Sequence, residues 1–178
     1  MPTSPLRRPA LALLAALLAA AGCDSAGAPS SDAELQTDAD AYVAAVTDWG
    51  VEFRADLTYT NASDRAVYFT GCVLPEPPVL EKRVGDEWVV AYSPGSLLCL
   101  SSPLAVAPGE SVDYGTAVAG CTGDRCAPEW ELGPVPQTVP GTYRLRTSVA
   151  TRVEGGLSAA SREVVSNTFR LDVAGGLR

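Results

Sequence analysis

Val51-Glu-Phe-Arg-Ala-Asp-Leu-Thr-Tyr-Thr60 alternates apolar and polar side chains without a break. Val51, Phe53, Ala55, Leu57 and Tyr59 fall on one face; Glu52, Arg54, Asp56, Thr58 and Thr60 fall on the other. A period of two over ten residues belongs to a strand with one buried face, because a helix would scatter the charges around every side. The same signal recurs on either side of it. Asn61-Ala-Ser-Asp64 supplies a turn and Val67-Tyr-Phe-Thr70 resumes extended. Leu80-Glu-Lys-Arg-Val84, Gly85-Asp86 and Trp88-Val-Val-Ala-Tyr92 read as a hairpin. Pro108-Gly109-Glu110 introduces Val112, Tyr114, Thr116 and Val118; Pro140-Gly141 introduces Tyr143, Leu145, Thr147 and Val149. Phe169, Leu171 and Val173 close the series.

That makes about seven or eight strands and no amphipathic helix of useful length. The fold expected is all-β, an immunoglobulin-like antiparallel β-sandwich, although alternation alone also accommodates a jelly roll. Residues 41–178 suffice for one core and are too few for two.

The whole chain has 178 residues, 47% of them hydrophobic and 19% charged, with a formal charge of −8 and no histidine. An acidic balance argues against nucleic acid, whose phosphates need a basic face. Lack of histidine removes the commonest general base and the commonest metal ligand together.

The N-terminus reads as an address. Arg7 and Arg8 precede an uncharged apolar run over residues 10–22, which ends in small residues. That is the layout of a secretory signal helix, and the run is shorter than the roughly 20 residues a spanning helix needs. Ala20-Ala-Gly-Cys23 resembles the lipobox of bacterial lipoproteins, with Ala20 where Leu is usual. The resemblance implies cleavage after residue 22 and a lipid, palmitate among its acyl chains, on Cys23. Asp24 resembles the inner-membrane retention signal of enteric bacteria; that rule does not hold across phyla, so inner and outer membrane both stay open. Processing would leave 11 basic and 21 acidic residues, a charge of −10 over 156 residues. Residues 23–40 hold five acids and no Lys or Arg, and are expected to form a flexible acidic tether ahead of a domain over 41–178.

Pro108-Gly-Glu-Ser and Pro140-Gly-Thr-Tyr-Arg-Leu resemble the strand starters of bacterial Ig-like modules, the Bacillus intracellular proteinase inhibitor-like family among them. Tyr59-Thr-Asn-Ala-Ser-Asp and Ser166-Asn-Thr-Phe169 resemble the second and closing strands of the same modules, so the similarity spans roughly residues 45–174. It implies an Ig-like fold, with inhibition of a secreted or periplasmic proteinase as the alternative activity. Tyr143 would then stand where a tyrosine corner pins the sandwich through its hydroxyl.

Beyond Cys23 the chain keeps Cys72, Cys99, Cys121 and Cys126. An even number of thiols in an exported protein reads as disulfides, and four permit three pairings. Cys121-Thr-Gly-Asp-Arg-Cys126 closes a short loop around Gly123, which favours Cys121–Cys126 with Cys72–Cys99. A four-thiolate zinc site is the weaker reading, since Cys72 and Cys99 are too far apart in sequence to form a knuckle.

Catalysis finds little support. The sole lysine, Lys82, lies in a segment read as an exposed strand, where its ammonium would stay protonated and could not serve as a base. Glu129 and Glu131 flank Trp130 and would lie about 6–7 Å apart if extended, but solvated charge beside one buried Trp explains them. Calcium and phosphate loops are absent from the sequence. Two segments stand out as loops. Leu97, Leu98 and Leu100 enrich the connection over 93–103, read as a cap on the core. The segment over 120–136 carries Asp124, Arg125 and Trp130, the candidate binding residues. The expectation is a non-enzymatic module without cofactor or metal, anchored in the bacterial cell envelope through Cys23. It would bind an envelope protein or glycan, not nucleic acid.

Overall fold

A computed structural model describes residues 33–73, 75–95, 101–122, 132 and 138–175. Of these, 63% lie in strands, and none forms an α-helix. The expected signal helix over 1–22 lies outside the described residues. Eleven strands follow in order: β1 (Leu35–Thr37), β2 (Ala41–Val46), β3 (Gly50–Thr60), β4 (Val67–Phe69), β5 (Val79–Val84), β6 (Glu87–Tyr92), β7 (Leu104–Val106), β8 (Ser111–Cys121), β9 (Gly141–Glu154), β10 (Leu157–Val165) and β11 (Phe169–Val173).

Two long strands organise the rest. β8 runs antiparallel along the whole of β3, from Gly50↔Cys121 to Thr60↔Ser111. On the other edge of β3 lie β2, at Val46↔Val51, and β1, at Leu35↔Tyr59. β9 carries β10 and then β11 along one edge, with β4 and β5 along the other. β6 folds back on β5 through the Gly85-Asp86 turn, where Gly85 takes φ +61°, and β7 pairs with β4. β2 joins the two groups, antiparallel to β3 and parallel to β11. The result is one curled, mixed sheet.

Curling brings the apolar faces together. Val51, Phe53, Ala55, Leu57 and Tyr59 of β3 are all buried while Glu52, Arg54, Asp56 and Thr58 face out, as the alternation requires. Phe53 meets Phe169 of β11 at 6.0 Å between ring centroids, and Tyr59 meets Phe69 of β4 edge-on at 5.2 Å. Tyr59, Tyr143, Phe69 and Phe169 are fully buried; such side chains each contribute about 1.5–3 kcal/mol by leaving water. The buried Tyr143 hydroxyl donates to the Val139 carbonyl four residues upstream, which pins the entry to β9.

Polar side chains hold the irregular joints. Asn61, fully buried after β3, donates from Nδ2 to the carbonyls of Arg65 and Val106 and accepts from the Ser63 amide. Between β10 and β11 the Ser166 hydroxyl accepts from the Leu145 amide at 2.9 Å and donates to the Asn167 carbonyl. Asn167 then accepts from the Thr37 amide and donates to Thr37 Oγ1, both at 2.8 Å. A buried Asn with its amide used on both sides fixes β1 in place.

Three expectations change. Among the described residues there are eleven strands where seven or eight were read, because β1, β2, β7 and β10 carry little alternation. Pairing is not wholly antiparallel, since β2 runs beside β11 in the same direction. The tether does not extend to residue 40. Leu35 and Thr37 are buried at 0% and 3% exposure, and Glu34 makes a two-pronged ion pair with Arg162 of β10. Composition suggested a solvated run, but one leucine at the right register and two side-chain clamps order it.

Candidate functional site

Strand directions sort the connections to two ends. β1 enters beside the far end of β3, with Leu35 opposite Tyr59. The turn over 61–66 lies at that end, tied to the β7–β8 turn by Gly109 donating to Asn61 and Asn61 donating to Glu110. The Gly155-Gly156 turn between β9 and β10 lies there too. At the opposite end β3 begins at Gly50, paired with Cys121, and β9 begins at Gly141, paired with Leu171. The Gly85-Asp86 turn and the half-exposed Trp49 share this end. Both stems of the segment over 122–137 therefore emerge remote from the N-terminal strand.

Most of the sequence-derived site lies outside the described residues: Cys23, Cys99, Cys126, Asp124, Arg125 and Trp130, together with Glu129, Glu131, Leu97, Leu98 and Leu100. Cys72 stands on the connection after β4 and Cys121 at the end of β8. Cys99 and Cys126, the partners expected for them, lie outside the described residues. Within the candidate loop, Leu132 is buried and its amide donates to the Cys121 carbonyl at 3.4 Å. A Cβ at Gly120 would stand 2.2 Å from Leu132 Cγ, so this glycine makes room for the returning loop.

Lys82 is half-buried, not exposed as read from the sequence. Its ammonium donates to the Thr138 carbonyl and lies 5.6 Å from the Tyr143 ring centroid. Burial lowers its pKa from the ordinary lysine value. It serves to fasten the stem of the candidate loop to β5.

The outward face of β5 and β9 carries a charge network. Glu81, 6% exposed, accepts from Arg144 Nε and Arg146 Nε, each at 2.7 Å. Arg146 also donates to Glu163 of β10, and Arg144 lies 4.4 Å from the Trp88 ring centroid. Burial pushes the Glu81 carboxyl up, but the two guanidinium groups outweigh it and leave its pKa below the usual range. Cross-strand register was the signal for this network: Arg144-Leu-Arg146 places both guanidiniums on one face, and Glu81 stands opposite Arg144.

Beside this network the sheet opens. β4 meets β9 at Tyr68↔Ala150 and β5 meets it at Val79↔Arg146, and the chain between β4 and β5 bows away over 70–78. A cleft of about 330 Å³ occupies the opening. Its apolar walls include Val73, Pro77, Val79 and Pro94, and its polar groups are Glu76, Ser93, Arg146, Thr147 and Ser148. Sequence reasoning missed it, because a cleft formed by a break in one ladder leaves no local pattern. Among the described residues no group of three or more His, Cys, Asp or Glu side chains is placed to hold a metal ion. No family model, no curated protein and no solved structure matches the chain.

Proposed function

We propose that the chain is a non-enzymatic, lipid-anchored binding module of a bacterial envelope, with an Ig-like sandwich that presents its 122–137 loop away from the membrane. One observation carries the reading: the N-terminal strand and the stems of that loop lie at opposite ends of the sheet. With lipid on Cys23, nine residues separate the anchor from Ala33. They reach at most about 35 Å when fully extended. The end holding β1 then faces the bilayer and the far end faces outward, where loops commonly carry recognition.

The sandwich reading is supported by the division of the entry strand, β1 pairing with β3 and β2 with β11, and by the β3–β8 and β9-centred groups that pack through Phe53, Phe69 and Phe169. Pairing Cys121 with Cys126 and Cys72 with Cys99 would staple the loop at its stem and the connection after β4 at its base.

A photo-crosslinking amino acid tests the orientation. Placed at Asp124 or Trp130 of the full chain in cells, it is expected to give a discrete adduct. Placed at Asp64 or Gly156, at the end that holds β1, it should not. An adduct formed only from the latter pair contradicts the proposal, and inhibition of a proteinase by the chain would instead assign the inhibitor role.

A further inference from the structure

The cleft between β4 and β5 carries one charge that the described residues leave without a partner. Glu76 lines it, half-buried, and makes no hydrogen bond or ion pair among the described residues. Arg146 lines the same cleft but does not neutralise it, since its guanidinium is already engaged by Glu81 and Glu163. Arg144 is likewise spent on Glu81 and the Trp88 ring. Together Glu76, Glu81, Glu163, Arg144 and Arg146 sum to one uncompensated negative charge, and Glu76 is where it resides.

The carboxylate is seated by design of the backbone. Gly71 takes φ +132°, a conformation side chains rarely adopt, and a Cβ there would lie 2.0 Å from Glu76 Oε1 and 2.4 Å from its Cδ. Only glycine lets the Glu76 side chain fold back over this turn. Val73, Pro77, Val79 and Pro94 give the walls apolar patches, between which Ser93, Thr147 and Ser148 add neutral polar groups. Burial raises the Glu76 carboxyl above its usual range, in keeping with a charge kept from water without a partner. Leaving a partly desolvated carboxylate unpaired is costly unless something arrives to pair it.

We infer that this cleft binds an organic cation, an ammonium or guanidinium on a short apolar stem, with Glu76 as its counter-ion and Val73, Val79 and Pro94 packing the stem. The volume lies at the low end of ligand clefts, which run from about 300 to 1,000 Å³, and so suits one small amine or one basic side chain. The chain's strong negative charge would concentrate such cations near it.

Heteronuclear NMR titration of the purified full chain tests this with benzylamine, agmatine and a doubly capped lysine. Saturable shifts confined to the amides of Gly95 and Ser148 and the methyls of Val73 and Val79 are expected for at least one of them. Benzyl alcohol, which keeps the apolar stem without the charge, should bind at least tenfold more weakly than benzylamine. Tighter binding of capped lysine than of the free amines assigns a peptide side chain; the reverse assigns a small-molecule amine. Glu76→Gln should weaken binding at least tenfold with the rest of the spectrum unchanged. Gly71→Ala, which displaces the carboxylate without removing it, should weaken binding similarly. Absence of saturable shifts for all three cations, or equal binding by wild type and Glu76→Gln, overturns the inference.

Discussion

Leu35 is the sharpest place to perturb the fold, because composition assigns it to a tether and packing assigns it to the core. Its side chain is completely buried, and its strand pairs with β3 over three residues. Leu35→Ala removes the burial of most of an isobutyl group and leaves a cavity beneath β3. Fully buried Leu→Ala changes cost about 2–5 kcal/mol, and a short strand at the sheet margin can relax, so about 3 kcal/mol is expected. At a urea slope of about 1.5–2 kcal/mol/M, that lowers the unfolding midpoint by about 1.5–2 M. The assay is equilibrium unfolding in urea followed by tryptophan fluorescence, with equal slopes checked for both proteins. Glu34→Gln is the control. Its ion pair with Arg162 is partly solvated, with side-chain exposures of 33% and 21%, and should contribute no more than about 1 kcal/mol. A chain beginning at residue 41 loses Leu35, the β1 ladder and both Asn167 clamps, and is expected to be far less stable than one beginning at residue 33. A Leu35→Ala change below about 0.5 kcal/mol, the range of an ordinary surface substitution, refutes the reasoning.

Other expectations follow from the same physics. Glu81 has a pKa below its unfolded value, so its contribution to stability is present above about pH 4.3 and lost as pH falls through the folded value. Glu81→Gln should therefore cost about 2–3 kcal/mol at pH 7, less than a fully buried pair because the two arginines are a quarter exposed, and much less at pH 3. Urea midpoints at the two pH values check this. Thr116 is 5% exposed, and its hydroxyl has no hydrogen-bond partner among the described residues. Thr116→Val should be neutral or stabilise the fold by up to about 1 kcal/mol, and a loss above 1 kcal/mol would show that the hydroxyl is engaged. Replacing Cys121 and Cys126 together by Ser should shift the melting temperature by only a few degrees, since so short a loop constrains few conformations, while the crosslink from Asp124 disappears. Retention of the crosslink in that variant would remove the case for a preorganised loop.

Alternation made the central strands legible. β3 is buried and exposed residue by residue as its sequence dictates, and the hairpin at Gly85-Asp86 has its turn where the glycine puts it. β10 left no such mark, because seven of its nine residues are exposed in single-letter runs such as Ser-Ala-Ala-Ser, and only the long partner β9 holds it in the sheet. β1 was hidden for a different reason: its register depends on Asn167, 130 residues away in sequence. Lys82 shows how a side chain's exposure escapes sequence patterning. It sits on the polar side of no clean alternation, and Thr138 and Tyr143 reach it from another part of the chain. The cleft at Glu76 was illegible for the same cause, since it exists only where β4 and β5 fail to meet along β9. Arg144 and Arg146 were within reach of sequence reasoning, given that Tyr143-Arg-Leu-Arg146 follows a strand starter and places its charges outward.

The anchored-module account stands or falls on the mature N-terminus. Intact-mass and peptide mass spectrometry of the chain extracted from membranes is predicted to show Cys23 as the first residue, carrying a diacylglyceryl group, with Cys23→Ser accumulating as the uncleaved precursor. A mature chain that begins elsewhere, or an unmodified Cys23 in a protein that partitions into detergent like its Ser variant, would contradict it.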